Sequence, residues 1–216
     1  MTGRRAYDRA ERTADVWVHG AGLLSGGIGA CVLMAGLIGV APITAVLATA
    51  VYCLTLLAML ICSAAFNLAP PSPFTPVLRR LDHAAIFGLI AGSATPFTFT
   101  DPDGMTGPLL GLAVWACALA GGLARLVVAQ GRHEAWFVAA YLGLGWLTVG
   151  AFVPLLDKIA PAVLGLLAMG GILYSGGVVF HLWSTLRFQN ALWHAFVVAA
   201  AACHFAAVTL HVRPPA

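Results

Sequence analysis

The sequence predicts an all-α membrane protein: a seven-transmembrane-helix bundle with its N-terminus cytoplasmic and its C-terminus outside. Three observations predict it. The 216-residue chain is 61% hydrophobic and 9% charged, with a mean hydropathy of +0.92, whereas soluble domains run at about 25% charged. Apolar runs long enough to cross a bilayer, about 20 residues each, recur along the whole chain. The basic residues fall almost entirely on alternate sides of those runs.

Seven windows meet the length requirement: 16–40, 43–68, 81–100, 107–129, 135–153, 160–182 and 190–211. They form one transmembrane domain over 16–211, between a polar segment 1–15 and a short tail 212–216. The first segment is basic but too long and polar to open a cleavable signal peptide, so the first span is expected to stay as an anchor. Ala41-Pro42 ends that span, because proline cannot continue a helix. Pro70, Pro71, Pro73 and Pro76 make the second connection. Asp101-Pro102-Asp103-Gly104 is a turn sequence. Gly131 to Glu134 separates the fourth and fifth spans, and Asp157-Lys158 with Pro161 separates the fifth and sixth. No connection leaves room for a soluble domain.

Orientation follows from charge. With the N-terminus inside, the inner segments hold Arg4, Arg5, Arg9, Arg12, Arg79, Arg80, Arg125, Arg132 and Arg187, and the outer ones hold only Lys158 and Arg213. This is a strong positive-inside bias; the expected location is the plasma (inner) membrane. Arg125, near the inner end of the fourth span, is expected to snorkel toward the interface. The five cysteines lie in apolar runs with no CxxC pair, which reads as small buried hydrophobes rather than a disulfide or zinc framework. Glycines at 20, 26, 27, 29, 121, 122, 143, 145, 170, 171, 176 and 177 predict close helix approach. Trp17, Trp136, Trp146, Trp183 and Trp193 fall near span ends, as interfacial anchors do.

Polar groups within a membrane are costly and normally face a protein interior or a cavity. The topology and the helical period put Ser63, Asn67, Asp82, His83, His181, Asn190 and His194 into one layer near the cytoplasmic face. Asp15 and His19 open the first span on the same side. Ser63 and Asn67 are four apart and share a face, as do Asn190 and His194. Structural roles stay open for most of them. Asp82 can serve as a first-turn carboxylate and His181 as a complement to a helix C-terminus. Ser63 can bond its own backbone, Asn67 can end its helix, and His83 can cap or sit at the interface. His194, one turn into the membrane beside Asn190, reads first as functional. His204, ten residues further and about 15 Å along the helix, reads as a packing or interhelical hydrogen-bonding residue.

These residues resemble the hemolysin III group of the progestin and adipoQ receptor (PAQR) family, related to the alkaline ceramidases. The matching stretches are Glu11 to Asp15 with His19-Gly20, Ser63 to Phe66, Leu81-Asp82-His83 to Ile86, Gly92 to Phe97, Leu144-Gly145-Trp146, Gly170 to Gly176, and Trp193-His194 to Val197 with His204. They cover nearly the whole chain in order. The resemblance implies a seven-helix bundle with an inner-leaflet zinc site. In that pattern the second span carries a serine and, four residues on, a histidine. The third carries an aspartate that holds the metal-bound water, and the seventh carries two histidines four apart.

The chain departs from that pattern at two of three zinc positions. Ser63, Asp82 and His194 match, but Asn67 and Asn190 stand where the resemblance implies histidine. A neutral carboxamide is a poor zinc ligand beside imidazole. The expectation is therefore a degenerate zinc site with no cofactor favoured, in which Asn67, Asn190 and His194 form a hydrogen-bonded polar cluster. Zinc is the alternative, held by His194 with His181 or His83 as substitute ligands. The expected function is an action on membrane lipid state or membrane energetics, with membrane lipids as partners and a lipid or fatty acid as ligand within the bundle. The alternative is a metal-dependent lipid amide or ester hydrolase in which Ser63 and Asp82 support a metal-bound water. Whether the chain is an enzyme stays open between these two. The spans turn apolar toward the outside, which argues against a wide aqueous path. Nothing in the sequence indicates nucleic-acid binding.

Overall fold

The computed structural model describes residues 8–100, 104–128 and 133–213. Arg4, Arg5, Arg132, most of the Asp101 to Gly104 turn and half of the Gly131 to Glu134 connection lie outside them. The described residues form seven α-helices: α1 (Arg9–Leu37), α2 (Ile43–Leu68), α3 (Thr75–Thr98), α4 (Thr106–Val127), α5 (Glu134–Ala151), α6 (Pro161–Leu182) and α7 (Gln189–Val212). A 3₁₀ turn at Val153–Lys158 joins α5 to α6. Consecutive helices touch, and α7 returns to α1, so the bundle closes on itself. A belt of exposed apolar side chains, Leu24, Val32, Leu47, Leu54, Leu119 and Leu123 among them, covers its outside, as a lipid-facing surface requires.

Five helices, α1, α2, α4, α6 and α7, are long and apolar enough to cross a membrane. α3 and α5 fall short of that measure for local reasons. α3 carries Arg79, Arg80 and Asp82 in its first turns, and α5 has 18 residues and opens on Glu134. α3 also occupies the middle of the bundle, in contact with α2, α4, α5 and α7. Every residue from Ala91 to Thr98 is buried. All-round burial is possible because that stretch is mostly Ala, Gly, Ser and Thr, whose small side chains let neighbouring backbones approach.

Two helices start earlier than their apolar runs. α1 begins at Arg9 because Asp8 and Glu11 form a reciprocal capping box, with Glu11 N–H to Asp8 Oδ1 at 2.8 Å and Asp8 N–H to Glu11 Oε2 at 2.9 Å. That backbone donor, with Arg187 alongside, holds the Asp8 carboxyl below its ordinary range. α3 begins at Thr75 with Pro76 in its first turn, where a missing N–H costs nothing.

The glycine expectation holds at some positions and not at others. A Cβ on Gly92 would collide with Thr55, one on Gly121 with Phe87, and one on Gly22 with Val198. Gly20, Gly27, Gly143 and Gly145 face open space. Trp17, Trp136, Trp146 and Trp183 are exposed as anchors should be, while Trp193, together with one face of Trp146, lines the cavity. The five cysteines are unpaired, but Cys31 and Cys117 are exposed rather than buried.

Gly170 gives the sharpest packing test. A Cβ there would lie 2.2 Å from the His204 ring and 3.2 Å from the Ala200 carbonyl oxygen. Gly170→Leu is expected to separate α6 from α7 and cost about 1–3 kcal/mol, the usual range for overpacking. Thermal unfolding in detergent reads this as a lowered midpoint, with Gly143→Ala unchanged.

Candidate functional site

The site grows from one stripe on α1. Glu11, Asp15 and His19 are spaced by four, so they lie one above another on a single face. That face continues as Gly22, Ala30, Leu33 and Leu37, all buried. The stripe is thus apolar along most of the helix and ionisable at its N-terminal end. It is anchored there by Glu11, whose Oε1 accepts the Phe188 N–H at 2.8 Å. Phe188 has φ 60° and precedes α7 directly. One carboxylate therefore caps α1 and pins the start of α7 to it.

This pinning sets Asp15 beside His194. His194 Nδ1 lies 2.7 Å from Asp15 Oδ1. His19 Nδ1 lies 2.8 Å from its own helix's Asp15 carbonyl and 3.4 Å from Asp15 Oδ1. The two imidazoles meet edge to face with centroids 4.2 Å apart. On the other side, His19 Nε2 reaches Ser63 Oγ at 3.3 Å, and Ser63 lies within polar reach of Asp82. Asp15, His19 and His194 are 1%, 5% and 6% exposed. Five polar groups from α1, α2, α3 and α7 thus form one buried chain.

Ser63, Asp82 and His194 are brought together as the sequence expects. Asp15 and His19 prove to be the hinge of the arrangement. The sequence puts them on the same side as the polar layer but gives them no part in the site. Their spacing from Glu11 was the available signal. Asn67 and Asn190 do not bridge α2 to α7. The Asn67 amide donates to the Ser63 carbonyl of its own helix at 2.9 Å, with a longer contact to Ser63 Oγ at 3.5 Å. Asn190 lines the cavity and makes no side-chain hydrogen bond among the described residues.

His83 belongs to a second cluster. Its Nδ1 accepts from Arg125 Nε at 2.9 Å and from the Arg125 terminal nitrogen. Arg125 also pairs with Glu134 at 2.8 Å, and Glu134 with Arg79 at 3.3 Å. Arg125 is 1% exposed, so it does not snorkel to the interface but is held inward by His83 and Glu134. His181 stacks against Trp193 at 5.0 Å and accepts from Gln189 Nε2 through its backbone carbonyl.

Between α3, α5, α6 and α7 lies a cavity of about 700 Å³. One end is lined by Glu11, Ser63, Asn67, Asp82, Asn190 and His194. Its walls are largely apolar, with Leu89, Val138, Leu142, Phe152, Leu167 and Val197 contributing. Tyr174 and His204 line it one to three helical turns from the polar layer, their rings edge to face at 5.6 Å. The Tyr174 hydroxyl and His204 Nε2 are buried and have no hydrogen-bond partner among the described residues.

The zinc site implied by the resemblance does not fit the residues present. Of its three positions only His194 offers an imidazole, and the Asn67 amide nitrogen is turned to its own backbone. Among the described residues one group of three brings ligand atoms together, Asp15, His19 and His194, with one donor atom of each within 4.8 Å of the others. His83 and His181 are not in it.

Glu134→Ala would leave the Arg125 guanidinium buried without its carboxylate. Breaking a buried pair costs about 3–5 kcal/mol. Glu134 is 35% exposed, so water reduces the expected loss to about 1–3 kcal/mol. Adding Arg125→Met should recover part of it, as a double-mutant cycle by thermal unfolding would show.

The model of the family described as "Haemolysin-III related" matches residues 7–205. The chain is 38% identical to the "Hemolysin-3 homolog" of Bacillus subtilis (strain 168) over 135 residues, which is 62% of this chain and 63% of that protein. It is also 38% identical to "Hemolysin-3" of Bacillus cereus over 136 residues, 63% of this chain and 62% of that protein. The matched stretch thus spans a little under two thirds of each of these curated relatives.

Proposed function

The chain belongs to the haemolysin III-related family, and from that premise we propose that it is an integral membrane protein that binds a lipid within its helix bundle and acts on membrane lipid state or membrane energetics. The observation that carries this is the cavity. Its volume lies within the usual range for small-molecule sites, its walls are largely apolar, and its ionisable and carboxamide groups, Tyr174 and His204 apart, collect at one end. That distribution matches an amphiphile with a single chain, such as a fatty acid. The headgroup would meet Asn67, Asp82 and Asn190, and the chain would run along Leu142, Val149 and Leu167. The positive-inside bias supports a cytoplasmic placement of the polar end and an inner-membrane location.

This reading needs no zinc at the PAQR-type positions, since two of the three are carboxamides. A second reading, a lipid amide or ester hydrolase, draws on the closeness of Ser63 and Asp82 to an Asp–His group at the cavity's polar end.

Lipids retained by the purified, detergent-solubilised protein test the first reading. Mass spectrometry is expected to find a single-chain amphiphile near one per chain, and Val197→Trp, which fills the cavity, to reduce it to a small fraction. Equal retention by the two proteins would defeat the proposal. Release of free fatty acid from vesicles holding ceramide or ester substrate, abolished in Asp82→Asn, would establish the hydrolase instead.

A further inference from the structure

We propose that Asp15, His19 and His194 form a site for a transition-metal cation of the zinc class, built on α1 and α7 rather than on α2 and α7. Several observations support it. The three residues supply one carboxylate and two imidazoles, with donor atoms within 4.8 Å of one another. Three protein ligands of these types with a fourth position left open are a standard zinc donor set. Imidazole selects zinc, copper, nickel or iron over the hard cations magnesium and calcium, which take oxygen.

The surroundings of the ligands fit as well. The Asp15 carbonyl, 2.8 Å from His19 Nδ1, fixes that ring with Nδ1 protonated and leaves Nε2 with its lone pair. An outer hydrogen bond of this kind orients a metal-binding histidine and raises its basicity. Ser63 Oγ, 3.3 Å from His19 Nε2, marks the side from which a water or ligand oxygen would approach. His194 and Ser63 also line the cavity, whereas Asp15 and His19 do not. The cation would therefore sit in the cavity wall, with its open position toward the lipid site.

Charge favours the same conclusion. A carboxylate 1% exposed inside a helix bundle is costly unless paired with positive charge. A divalent cation between Asp15 and the two imidazoles would supply that charge. Asn67 and Asn190 are not needed, which accounts for the absence of imidazole at both.

This inference does not rest on the lipid reading, and the experiment separates them. The full-length protein, purified without chelator, is analysed by elemental mass spectrometry, then stripped and titrated with zinc and with cobalt(II). The wild type is expected to hold near one zinc per chain and to give the visible absorption of four-coordinate cobalt. Asp15→Asn keeps the shape of the side chain and should lower zinc affinity at least tenfold, as should His19→Gln, while Asn67→Ala leaves it unchanged. Lipid retention, measured on the same samples, should persist in Asp15→Asn. A wild type that binds neither zinc nor cobalt overturns the proposal whatever the variants do. Zinc held equally by the wild type, Asp15→Asn and His19→Gln, or lost in Asn67→Ala, overturns it too and returns the metal to the positions implied by the family.

Discussion

The arrangement depends on the cost of burying carboxylates among helices in lipid. Glu11 and Asp15 are both almost wholly buried, one turn apart on α1. Each is tolerable only because a second helix brings a donor to it. For Glu11 the donor is the Phe188 backbone N–H at the start of α7, and for Asp15 it is the His194 imidazole one and a half turns further on. Hydrophobic burial does not orient helices in a bilayer, since lipid tails are as apolar as leucine. These polar contacts therefore fix the register of α1 against α7 in a way that leucine packing cannot.

The remainder of the site follows from that register. With α1 and α7 locked, His19 turns toward α2 and meets Ser63, and Ser63 faces Asp82 on α3. The glycine at 22 allows α1 to come close to α7 and α2, where these short polar contacts form. On the far side of α3, Arg125 repeats the theme with opposite charge. A buried cation is paired with His83 and Glu134, which ties α3, α4 and α5 together. α3 lies between the two clusters with Asp82 and His83 as adjacent residues, about 100° apart around the helix, one facing each cluster. The cavity opens where neither cluster closes the bundle, between α3, α5, α6 and α7.

Sequence reasoning captured the layer but not its wiring. Ser63, Asp82 and His194 were legible because intramembrane polar residues are rare and helical period sorts them by face. Asp15 and His19 were legible as positions but not as partners of His194. They lie at the edge of the apolar run, where polar residues are ordinary. Asn67 and Asn190 make no direct hydrogen bond to each other, because a carboxamide on a helix competes for its own backbone carbonyl, and Asn67 takes that local bond to Ser63. The expected snorkelling of Arg125 failed for a similar reason: with Glu134 and His83 in reach, a paired interior position is available to it.

The sequence by itself determined the membrane class, the seven helices and the end of the bundle at which the polar residues gather. These are one-dimensional properties: run length, period and composition. Only the tertiary structure decided which helix faces which, and so which imidazole meets which carboxylate. That choice depends on helix rotation and close approach, which small residues permit and buried hydrogen bonds select. The site consequently lies between α1 and α7, with Asp15 and His19 in place of the two asparagines that the helical pattern alone put forward.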